Sequence, residues 1–343
     1  MIETLSMCPT CYKKIQAQVH FIDGQAVMKK ECDVHGKSET LVDKSAEHFS
    51  NFYELGTMGN NNTIIIHAHN ECNMSCPWCY YEMGVEKMQT AEYYDMLLKM
   101  YKGTHRLLLS GGEPTIRPDF FDFVWRLNAF GWQPCSITNM IKLADLEFFK
   151  KTIDNYDCFV EDNIYRFAMS MQHPKYYSKE ILQYKVQALK NIETAGLKAM
   201  CVMFSIQSLD ELDWIREFYD KSNHLFKMIR IRTMFKNWNN KGDTNDLCCS
   251  DLHKAFMEKF ADLSPCAARR LEHSNSYCLY LQMADGMDVS LSSSPTVNNV
   301  DYHLCSRPAY MLAMDGRCYP VPIAQIVNEG IRLGWKDGFK LGR

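Results

Sequence analysis

The sequence predicts an α/β protein built on a parallel β-sheet with covering helices. Six strand-like segments alternate with helical segments between residues 63 and 233, and this alternation is typical of parallel strands joined by helical crossovers. Two further observations place smaller units at the ends of the chain. The first 50 residues are short, polar and rich in cysteine, and two Asp-Gly turns divide apolar segments near the C-terminus. Periodicity alone leaves open whether the sheet closes into a barrel.

Each predicted strand is a short apolar run, and each predicted helix has apolar residues at helical spacing. The strands are predicted at residues 63–69, 106–110, 135–138, 166–171, 198–204 and 228–233. The helices between them are predicted at residues 90–101, 119–130, 143–153, 179–195 and 210–219. Thr90 is placed to cap the first helix, and Gly196 closes the fourth. The turns Asp285-Gly286 and Asp315-Gly316 predict two β-hairpins, over residues 277–291 and 310–321.

The composition is that of a globular chain, and it argues against two classes of protein. Of the 343 residues, 46% are hydrophobic and 23% charged, which is ordinary for a folded domain. A net charge of −3 argues against nucleic-acid binding by bulk charge, because such binding depends on a strongly basic domain. No run of about 18 apolar residues predicts a transmembrane helix, and the first residues lack a signal-peptide pattern. We therefore expect a cytoplasmic protein.

Cysteine is the residue whose frequency is unusual. Fifteen cysteines in a chain without an export signal do not fit a secreted disulfide framework, so we expect metal ligands or catalytic thiols. Cys72, Cys76 and Cys79 form a C-x3-C-x2-C motif directly after the first predicted strand. Three thiolates on one loop suit an iron–sulfur cluster, and they leave one iron of a cubane open to a substrate or cofactor. The alternative is three unrelated buried cysteines.

This motif resembles that of the radical S-adenosylmethionine (radical SAM) superfamily, whose hallmark is C-x3-C-x-aromatic-C in a partial (β/α)6 barrel. Trp78 stands at the aromatic position, and Gly111-Gly112-Glu113-Pro114-Thr115, after the second strand, is similar to the superfamily's second motif. The resemblance covers residues 62–235. It implies a partial (β/α)6 radical SAM barrel with a small N-terminal metal-binding module and a β-rich C-terminal extension.

The chemistry that the resemblance implies is radical chemistry. Cys72, Cys76 and Cys79 would ligate a [4Fe–4S] cluster whose open iron chelates SAM. An external one-electron reductant, flavodoxin or ferredoxin, would drive cleavage of SAM to a 5′-deoxyadenosyl radical. That radical would abstract hydrogen from a substrate C–H bond and lead to C–C bond formation, methylation or rearrangement. The sequence leaves open whether the substrate is a small molecule, a lipid or a peptide.

The resemblance also implies which residues contact SAM. The turn Gly111-Gly112-Glu113 would meet the SAM amino group, since glycines let the backbone approach a ligand closely. Trp78 would lie beside the adenine. Ser170 and Gln172, at the end of the fourth strand, would contact the ribose or the carboxylate. For Ser170 the alternative is an ordinary residue at a strand end.

A second metal site is predicted in the first 50 residues. The pairs Cys8-x2-Cys11 and Cys32-x2-His35 match a structural zinc site of the Cys3His type. A segment this short has little core of its own, so metal binding would supply folding free energy. A rubredoxin-like iron with the same ligands and four unligated residues are the alternatives. The pattern is similar to one branch of the superfamily, which contains archaeal tetraether-lipid synthase and a dihydropterin methylase.

We therefore expect three regions: a metal-binding module over residues 1–50, the radical SAM barrel over residues 60–235, and an extension over residues 236–343. The extension would cover the substrate or hold an auxiliary iron–sulfur cluster. The cysteines available for that cluster are Cys248, Cys249, Cys266, Cys278, Cys305 and Cys318. Two other functions stay open, a radical SAM enzyme that modifies a peptide or protein, and a non-catalytic zinc and iron–sulfur interaction protein.

Three basic residues near the sixth strand have two possible roles. Arg230 and Arg232 alternate on the strand, so both side chains lie on one face. Together with Lys236 they would either grip an anionic group of the substrate or form a solvated rim.

Overall fold

The computed structural model contains two β-sheets with their helices. The described residues are 1–53, 63–76, 78–79, 81, 83–84, 87–99, 106–155, 160–234, 247–265, 277–293, 295–296, 298–305, 310–312 and 318–320. None of the helices in these ranges has both the length and the apolar character that crossing a membrane requires.

The N-terminal region forms a four-stranded antiparallel sheet in chain order. Its strands are β1 (Ile2–Met7), β2 (Lys14–Ile22), β3 (Gln25–Cys32) and β4 (Gly36–Asp43), and helix α1 (Ala46–Tyr53) follows. Asp23 and Gly24 join β2 to β3 with φ angles of 48° and 76°. A two-residue turn with both φ angles positive has the twist that a hairpin needs. This sheet brings the loop after β1 next to the turn between β3 and β4.

The second sheet contains the six predicted parallel strands at its centre. Its strands are β5 (Thr63–His69), β6 (Arg106–Gly111), β7 (Gln133–Thr138), β8 (Val160–Glu161), β9 (Ile164–Ser170), β10 (Lys198–Ile206), β11 (Met228–Thr233), β12 (Cys278–Gln282), β13 (Asp288–Ser292), β14 (Tyr310–Leu312) and β15 (Cys318–Pro320). The order β5-β6-β7-β9-β10-β11 follows the chain, and every neighbouring pair in it is parallel. The partial (β/α)6 barrel is therefore confirmed.

The two predicted C-terminal hairpins extend this sheet at its edges. Strands β12 and β13 pair antiparallel, and β13 lies parallel to β11. Strands β14 and β15 pair antiparallel, and β14 lies parallel to β5. The β-rich extension is thus confirmed, and it contributes strands at both edges of the barrel sheet.

Helices follow the barrel strands. They are α2 (Ala91–Leu98), α3 (Phe120–Ala129), α4 (Leu146–Asp154), α5 (Lys179–Thr194) and α6 (Glu211–Ser222); α7 (Cys249–Lys259) and α8 (Tyr302–Cys305) belong to the extension. The predicted cap is confirmed, because the Thr90 hydroxyl accepts a hydrogen bond from the Tyr93 amide at 3.2 Å. The helix predicted from residue 143 begins instead at Leu146. Asp145 accepts a hydrogen bond from the Phe148 amide at 2.8 Å, and residues 142–144 form a separate 3-10 turn.

Each barrel strand presents one face to the helices and the other to the interior, which we call the lumen face. On β11, Ile229 and Ile231 are buried in the main hydrophobic core, whereas Met228, Arg230 and Arg232, on the lumen face, are only partly buried. The side chains of the lumen face are therefore the ones that a molecule inside the barrel would meet.

A second core joins the N-terminal sheet to the C-terminal extension. Met7 and Val19 pack in one cluster with Val300 and Leu304. The Ser6 hydroxyl donates a hydrogen bond to the Val300 carbonyl at 2.6 Å. The core missing from the first 50 residues is thus completed by residues near the other end of the chain.

Candidate active site and metal centre

The three cysteines of the C-x3-C-x2-C motif lie on the loop that follows β5. Burial, together with negative charge on neighbouring thiols, raises the pKa of Cys72 to about 11 and that of Cys76 to about 12. Burial also raises the pKa of Cys79, although positive charge on Arg232 opposes the shift. The three thiols therefore lie close enough to influence one another, in a pocket that disfavours free thiolates. A bound metal cluster would reverse that preference, because metal-bound thiols are deprotonated.

The glycines of the second motif fasten the end of β6 to the cysteine loop. The Gly112 amide donates to the His69 carbonyl at 2.9 Å, and the Glu113 amide donates to the Glu71 carbonyl at 2.7 Å. A Cβ atom on Gly112 would lie 1.9 Å from the Glu71 carbonyl oxygen, and one on Gly111 would lie 2.5 Å from the His69 carbonyl oxygen. Only glycine permits this approach. The close contact that requires glycine is thus made to the chain's own cysteine loop.

Glu113 has a completely buried carboxylate that accepts four hydrogen bonds. Its donors are the amide and hydroxyl of Thr115 at 3.2 and 2.5 Å, the Thr138 hydroxyl at 2.7 Å and the Asn139 amide at 2.7 Å. Burial raises the pKa of Glu113, and these hydrogen bonds lower it. The carboxylate therefore connects the ends of β6 and β7. Its contact with the SAM amino group stays a prediction.

Asn139, which the sequence analysis did not select, connects β7 to the cysteine loop. Its side-chain amide donates to Asn73 Oδ1 at 2.7 Å and lies 3.8 Å from Cys72 Sγ. Its position directly after β7 was the available signal, since the carboxyl ends of parallel barrel strands carry the site residues.

Lys185 is a second residue that the sequence analysis missed. It is fully buried on α5, and its ammonium group donates to the carbonyls of Asn139 and Ser170, both at 2.8 Å. Burial lowers the pKa of Lys185 to about 8, although negative charge at Cys76 opposes the shift. The signal was its place in the apolar stripe of α5, three residues before the buried Ala188. Lys185 joins the ends of β7 and β9 beneath the cysteine loop.

Ser170 and Gln172 lie together at the end of β9. The Gln172 side-chain amide donates to the Ser170 hydroxyl at 2.9 Å. Gln172 is buried, and its side-chain oxygen accepts a hydrogen bond from the Tyr177 hydroxyl. The structure thus brings these two predicted residues into contact with each other, and their contacts with SAM stay predictions.

Trp78 is buried beside the turn that follows β9. Its ring lies 5.2 Å from the ring of Tyr176, in an edge-to-face arrangement. The Tyr176 hydroxyl donates to Glu211 Oε1 at 2.6 Å, and this hydrogen bond holds the ring that contacts Trp78 in place. The predicted position of Trp78 beside the adenine is not tested by this contact.

The four residues predicted as a zinc site meet at one end of the N-terminal sheet. One ligand atom from each of Cys8, Cys11, Cys32 and His35 lies within 4.8 Å of all the others. Cys11 Sγ is 3.8 Å from Cys32 Sγ, and His35 Nδ1 is 3.7 Å from Cys8 Sγ and 3.6 Å from Cys32 Sγ. A tetrahedral site with zinc–sulfur bonds near 2.3 Å has sulfur–sulfur edges of about 3.8 Å. The donor set and its spacing therefore fit a tetrahedral metal ion.

The electrostatics of this quartet favour a metal-binding thiolate at Cys32. Hydrogen bonds from the Val34 amide and from His35 lower the pKa of Cys32 to about 6. Burial raises the pKa of Cys11, the opposite direction. Cys32 is thus the thiol of this pair that is ready to ligate near neutral pH.

Only three of the six cysteines predicted for the auxiliary cluster, Cys248, Cys249 and Cys278, have side chains that the structure describes. Cys266 lies outside the described residues, as do the side chains of Cys305 and Cys318. Cys249 is buried in the main core, and Cys278 Sγ lies 3.5 Å from the Ser290 hydroxyl. The auxiliary cluster therefore stays a prediction. Lys236, the third basic residue near β11, also lies outside the described residues.

Comparison with known families agrees with the two motifs. Residues 66–219 match the radical SAM superfamily, and residues 2–44 match the HMPTM N-terminal zinc ribbon domain. This match identifies residues 66–219 as a radical SAM domain. The zinc-ribbon match covers the four-stranded sheet and its Cys3His quartet.

Two curated relatives match part of this chain. The 7,8-dihydro-6-hydroxymethylpterin dimethyltransferase of Methanocaldococcus jannaschii is 28% identical over 184 residues, which are 43% of this chain and 36% of that protein. The probable GTP 3′,8-cyclase of Pyrococcus horikoshii is 34% identical over 64 residues, 18% of this chain and 21% of that protein. The matched part is therefore about a third or less of either relative.

Two solved structures share the fold of this chain. Streptococcus suis SuiB bound to the precursor peptide SuiA superposes with a TM-score of 0.50 at 10% identity, over 89% of this chain and 74% of that one. The SAM-bound form of the same protein gives a TM-score of 0.50 at 11% identity, over 78% of this chain and 61% of that one. At such low identity the likeness establishes the fold alone.

Proposed function

We propose that this radical SAM enzyme functionalises an unactivated C–H bond of a small-molecule substrate. The observation that carries the proposal is the attachment of the Gly-Gly-Glu turn to the end of β5 and to the cysteine loop, through the hydrogen bonds from the Gly112 amide to His69 and from the Glu113 amide to Glu71. A purely structural metal site on the loop after β5 would not need the end of β6 to be attached to that loop. When bound, a [4Fe–4S] cluster and SAM together supply a 5′-deoxyadenosyl radical that abstracts hydrogen from carbon.

The residues of the chain hold these groups in place. Cys72, Cys76 and Cys79 would ligate the cluster, because three thiols on one loop leave the fourth iron to SAM. Asn139 holds the first thiol through its contact with Cys72 Sγ. Lys185 sets the ends of β7 and β9 against each other and places positive charge beneath Cys76.

The proposed contacts to SAM use the ends of three strands. The Gly111-Gly112-Glu113 turn would meet its amino group, and Trp78 would lie beside its adenine. Ser170 and Gln172 would contact the ribose or the carboxylate, and their mutual hydrogen bond would orient them for that contact.

We favour C–C bond formation or transfer of a methyl or alkyl group as the outcome. The support is the name of the Methanocaldococcus relative, a dimethyltransferase, whose match covers 43% of this chain. A rearrangement remains the other outcome consistent with hydrogen abstraction. Modification of a peptide or protein is a second substrate class, but the fold likeness to a peptide-bound structure carries no substrate assignment.

We further propose that Cys8, Cys11, Cys32 and His35 bind structural zinc. The fit of their spacing to a tetrahedral ion supports this, as does the zinc-ribbon family match. A rubredoxin-type iron uses similar ligands, and metal analysis separates the two. A flavodoxin or ferredoxin would supply the electron. None of the eleven cysteines whose side chains the structure describes forms a disulfide, which fits a cytoplasmic location.

Anaerobic reconstitution tests the proposed function. The full chain is loaded with iron and sulfide and then given SAM and dithionite. We expect 5′-deoxyadenosine among the products and its loss in Cys76→Ala. The matched control is Cys135→Ala, which removes a buried thiol outside the cysteine loop and should retain product formation. A Cys76→Ala protein that still forms 5′-deoxyadenosine would contradict the assignment of the cluster site.

A further inference from the structure

A row of polar side chains crosses the lumen face at the level of Arg230. In the strand register, Ser170 of β9 is opposite Met203 of β10, and Met203 is opposite Arg230 of β11. Arg230 is opposite Ser290 of β13, which is opposite Tyr280 of β12. Residues in register on neighbouring strands share a face. The proposed SAM residue Ser170 and Arg230 therefore lie in one row, with their Cα atoms two strands and about 10 Å apart.

Arg230 has few partners for a partly buried cation. Its guanidinium donates one long hydrogen bond, 3.4 Å, to the Tyr280 hydroxyl. The ionisable groups that would interact most strongly with it, if they were charged, are Tyr280, Cys201 and Cys278. Burial raises the pKa of Cys201 to about 11 and also raises those of Cys278 and Tyr280. All three groups are thus neutral near pH 7, and the strongest electrostatic neighbours of Arg230 do not neutralise it.

Two further guanidinium groups lie on the same face of the sheet. Arg232 donates to the Ser205 hydroxyl at 2.9 Å, and its charge reaches Cys79 of the cysteine loop. Arg166 of β9 is 9% exposed, and both Arg166 and Arg230 act electrostatically on Cys135 of β7. Positive charge therefore extends along the lumen face, from the cysteine loop inward.

We propose that the barrel lumen binds the anionic group of the substrate, a carboxylate or a phosphate, with Arg230 as its main ligand. This inference deepens the proposed function and rests on it. A guanidinium pairs with either oxyanion through two parallel hydrogen bonds. Arg232, nearer the cysteine loop, and Arg166, nearer the start of the strands, add positive charge on either side of Arg230. The Tyr280 hydroxyl orients the Arg230 guanidinium. The solvated rim, the other role predicted for this pair, does not fit an arginine that is only partly exposed and placed between Met203 and Ser290.

The arrangement also orients the substrate. Arg232 lies two residues beyond Arg230 toward the cysteine loop, a rise of about 6.6 Å along the strand. An anion on Arg230 therefore sits deeper in the barrel than the cysteine loop. The carbon that loses hydrogen would lie on the side of the substrate that points back toward Cys79, and the anionic end would point inward.

Calorimetric titration of the full, anaerobically reconstituted chain with SAM present tests this pocket. The probes are inorganic pyrophosphate and glutarate, which represent the phosphate and the carboxylate as sources of the anionic group. We expect one of them to bind to the wild type, and Arg230→Gln to weaken that binding about tenfold or more. The matched control is Arg126→Gln, which removes an exposed arginine that pairs with Asp122 and Glu92 on the outer helices. It should bind the probe as the wild type does.

The outcomes are distinct. Equal binding by the wild type and Arg230→Gln overturns the proposal, as does failure of both probes to bind the wild type in the millimolar range. If Arg230→Gln does not fold, Arg230→Lys takes its place, and binding equal to that of the wild type would overturn the bidentate contact. Formation of 5′-deoxyadenosine by the wild type without either anion is measured separately. Its absence would count against the proposed function, whereas its presence without anion binding would count against the pocket alone.

Discussion

The backbone of Gly112 lies directly against the backbone of Glu71, so close that a methyl group on Gly112 would overlap the Glu71 carbonyl. The two segments are also joined by the hydrogen bond from the Glu113 amide to the Glu71 carbonyl, at 2.7 Å. One turn thus determines where the loop carrying Cys72, Cys76 and Cys79 can lie. The glycine motif therefore contributes to the proposed cluster site by fixing the position of the cysteine loop.

Gly112→Ala should therefore displace the cysteine loop. Its Cβ would lie 1.9 Å from a carbonyl oxygen, so the backbone has to move and the three thiols lose their arrangement. We expect a loss of reconstituted iron and of 5′-deoxyadenosine, together with a loss of stability of about 1–3 kcal/mol. Iron analysis and thermal unfolding measure these effects.

The control for this variant is Gly24→Ala, in the hairpin turn of the N-terminal sheet. Its Cβ meets no atom within 4 Å, and only the positive φ angle disfavours alanine, at a cost of about 1–2 kcal/mol. Iron content should stay at the wild-type level. A full complement of iron in Gly112→Ala would show that the contact with Glu71 does not position the loop.

Lys185→Met should destabilise the barrel by about 1–3 kcal/mol. The substitution leaves the carbonyls of Asn139 and Ser170 without their shared donor and unlinks the ends of β7 and β9. Denaturant unfolding of the apo chain measures the change. Lys190→Met, an exposed lysine on the same helix, is the control and should stay within about 0.5 kcal/mol of the wild type. Equal stability of the two variants would refute the bridging role.

Cys32→Ser should remove bound zinc from the full chain and lower its melting temperature. Cys32 is the thiol whose pKa is lowered to about 6, and its loss leaves three ligands for the ion. Elemental analysis should give one zinc per wild-type chain and none in the variant. Cys248→Ser, at the start of α7, is the control and should retain zinc. The full chain is needed because the N-terminal sheet shares its core with Val300 and Leu304.

Stability should fall as the pH drops from about 6.5 to about 4 because of two half-buried histidines. The rings of His48 and His253 lie 5.5 Å apart, and burial lowers the pKa of each to about 4 from the usual 6.5. In this window the unfolded chain takes up protons that the folded chain does not, so acid favours unfolding, by about 2 kcal/mol for each imidazole. Below pH 4 this contribution is fully lost.

Denaturant unfolding across this pH range measures the effect. In His48→Gln/His253→Gln the acid-induced loss should shrink, whereas His224→Gln, an exposed histidine paired with Glu193, should keep the wild-type profile. An unchanged slope in the double variant would assign the acid sensitivity to other groups.

Local patterns were sufficient for the barrel elements. Strands β5 and β11 have the predicted bounds, because short apolar runs between polar residues identify a strand wherever it pairs. The start of α4 was missed by three residues, since the Asp145 cap overrides the helical spacing before it. The N-terminal strands were not predicted. They bury one face only in part, as in β2, so their alternation is weak.

The residues that support the site could not be predicted from local sequence patterns. Asn139 meets Cys72 across 67 positions of sequence, and Lys185 meets Asn139 across 46. An asparagine after a strand and a lysine in an apolar stripe are visible locally, but their partners are not. Contacts of this range exist only after the strand ends have been brought together.

The sequence by itself determined the chemistry that the chain carries: three thiols at cluster spacing, a Cys3His quartet and the alternation that builds the barrel. Ligand spacing and apolar periodicity are short-range properties, so they can be read without the fold. Tertiary structure alone decided that Gly112 braces the cysteine loop and that the N-terminal sheet packs on Val300. It also decided that Arg230 shares a row with Ser170. These relationships depend on which distant segments bury their apolar faces together, and that packing is determined by the folding free energy of the whole chain.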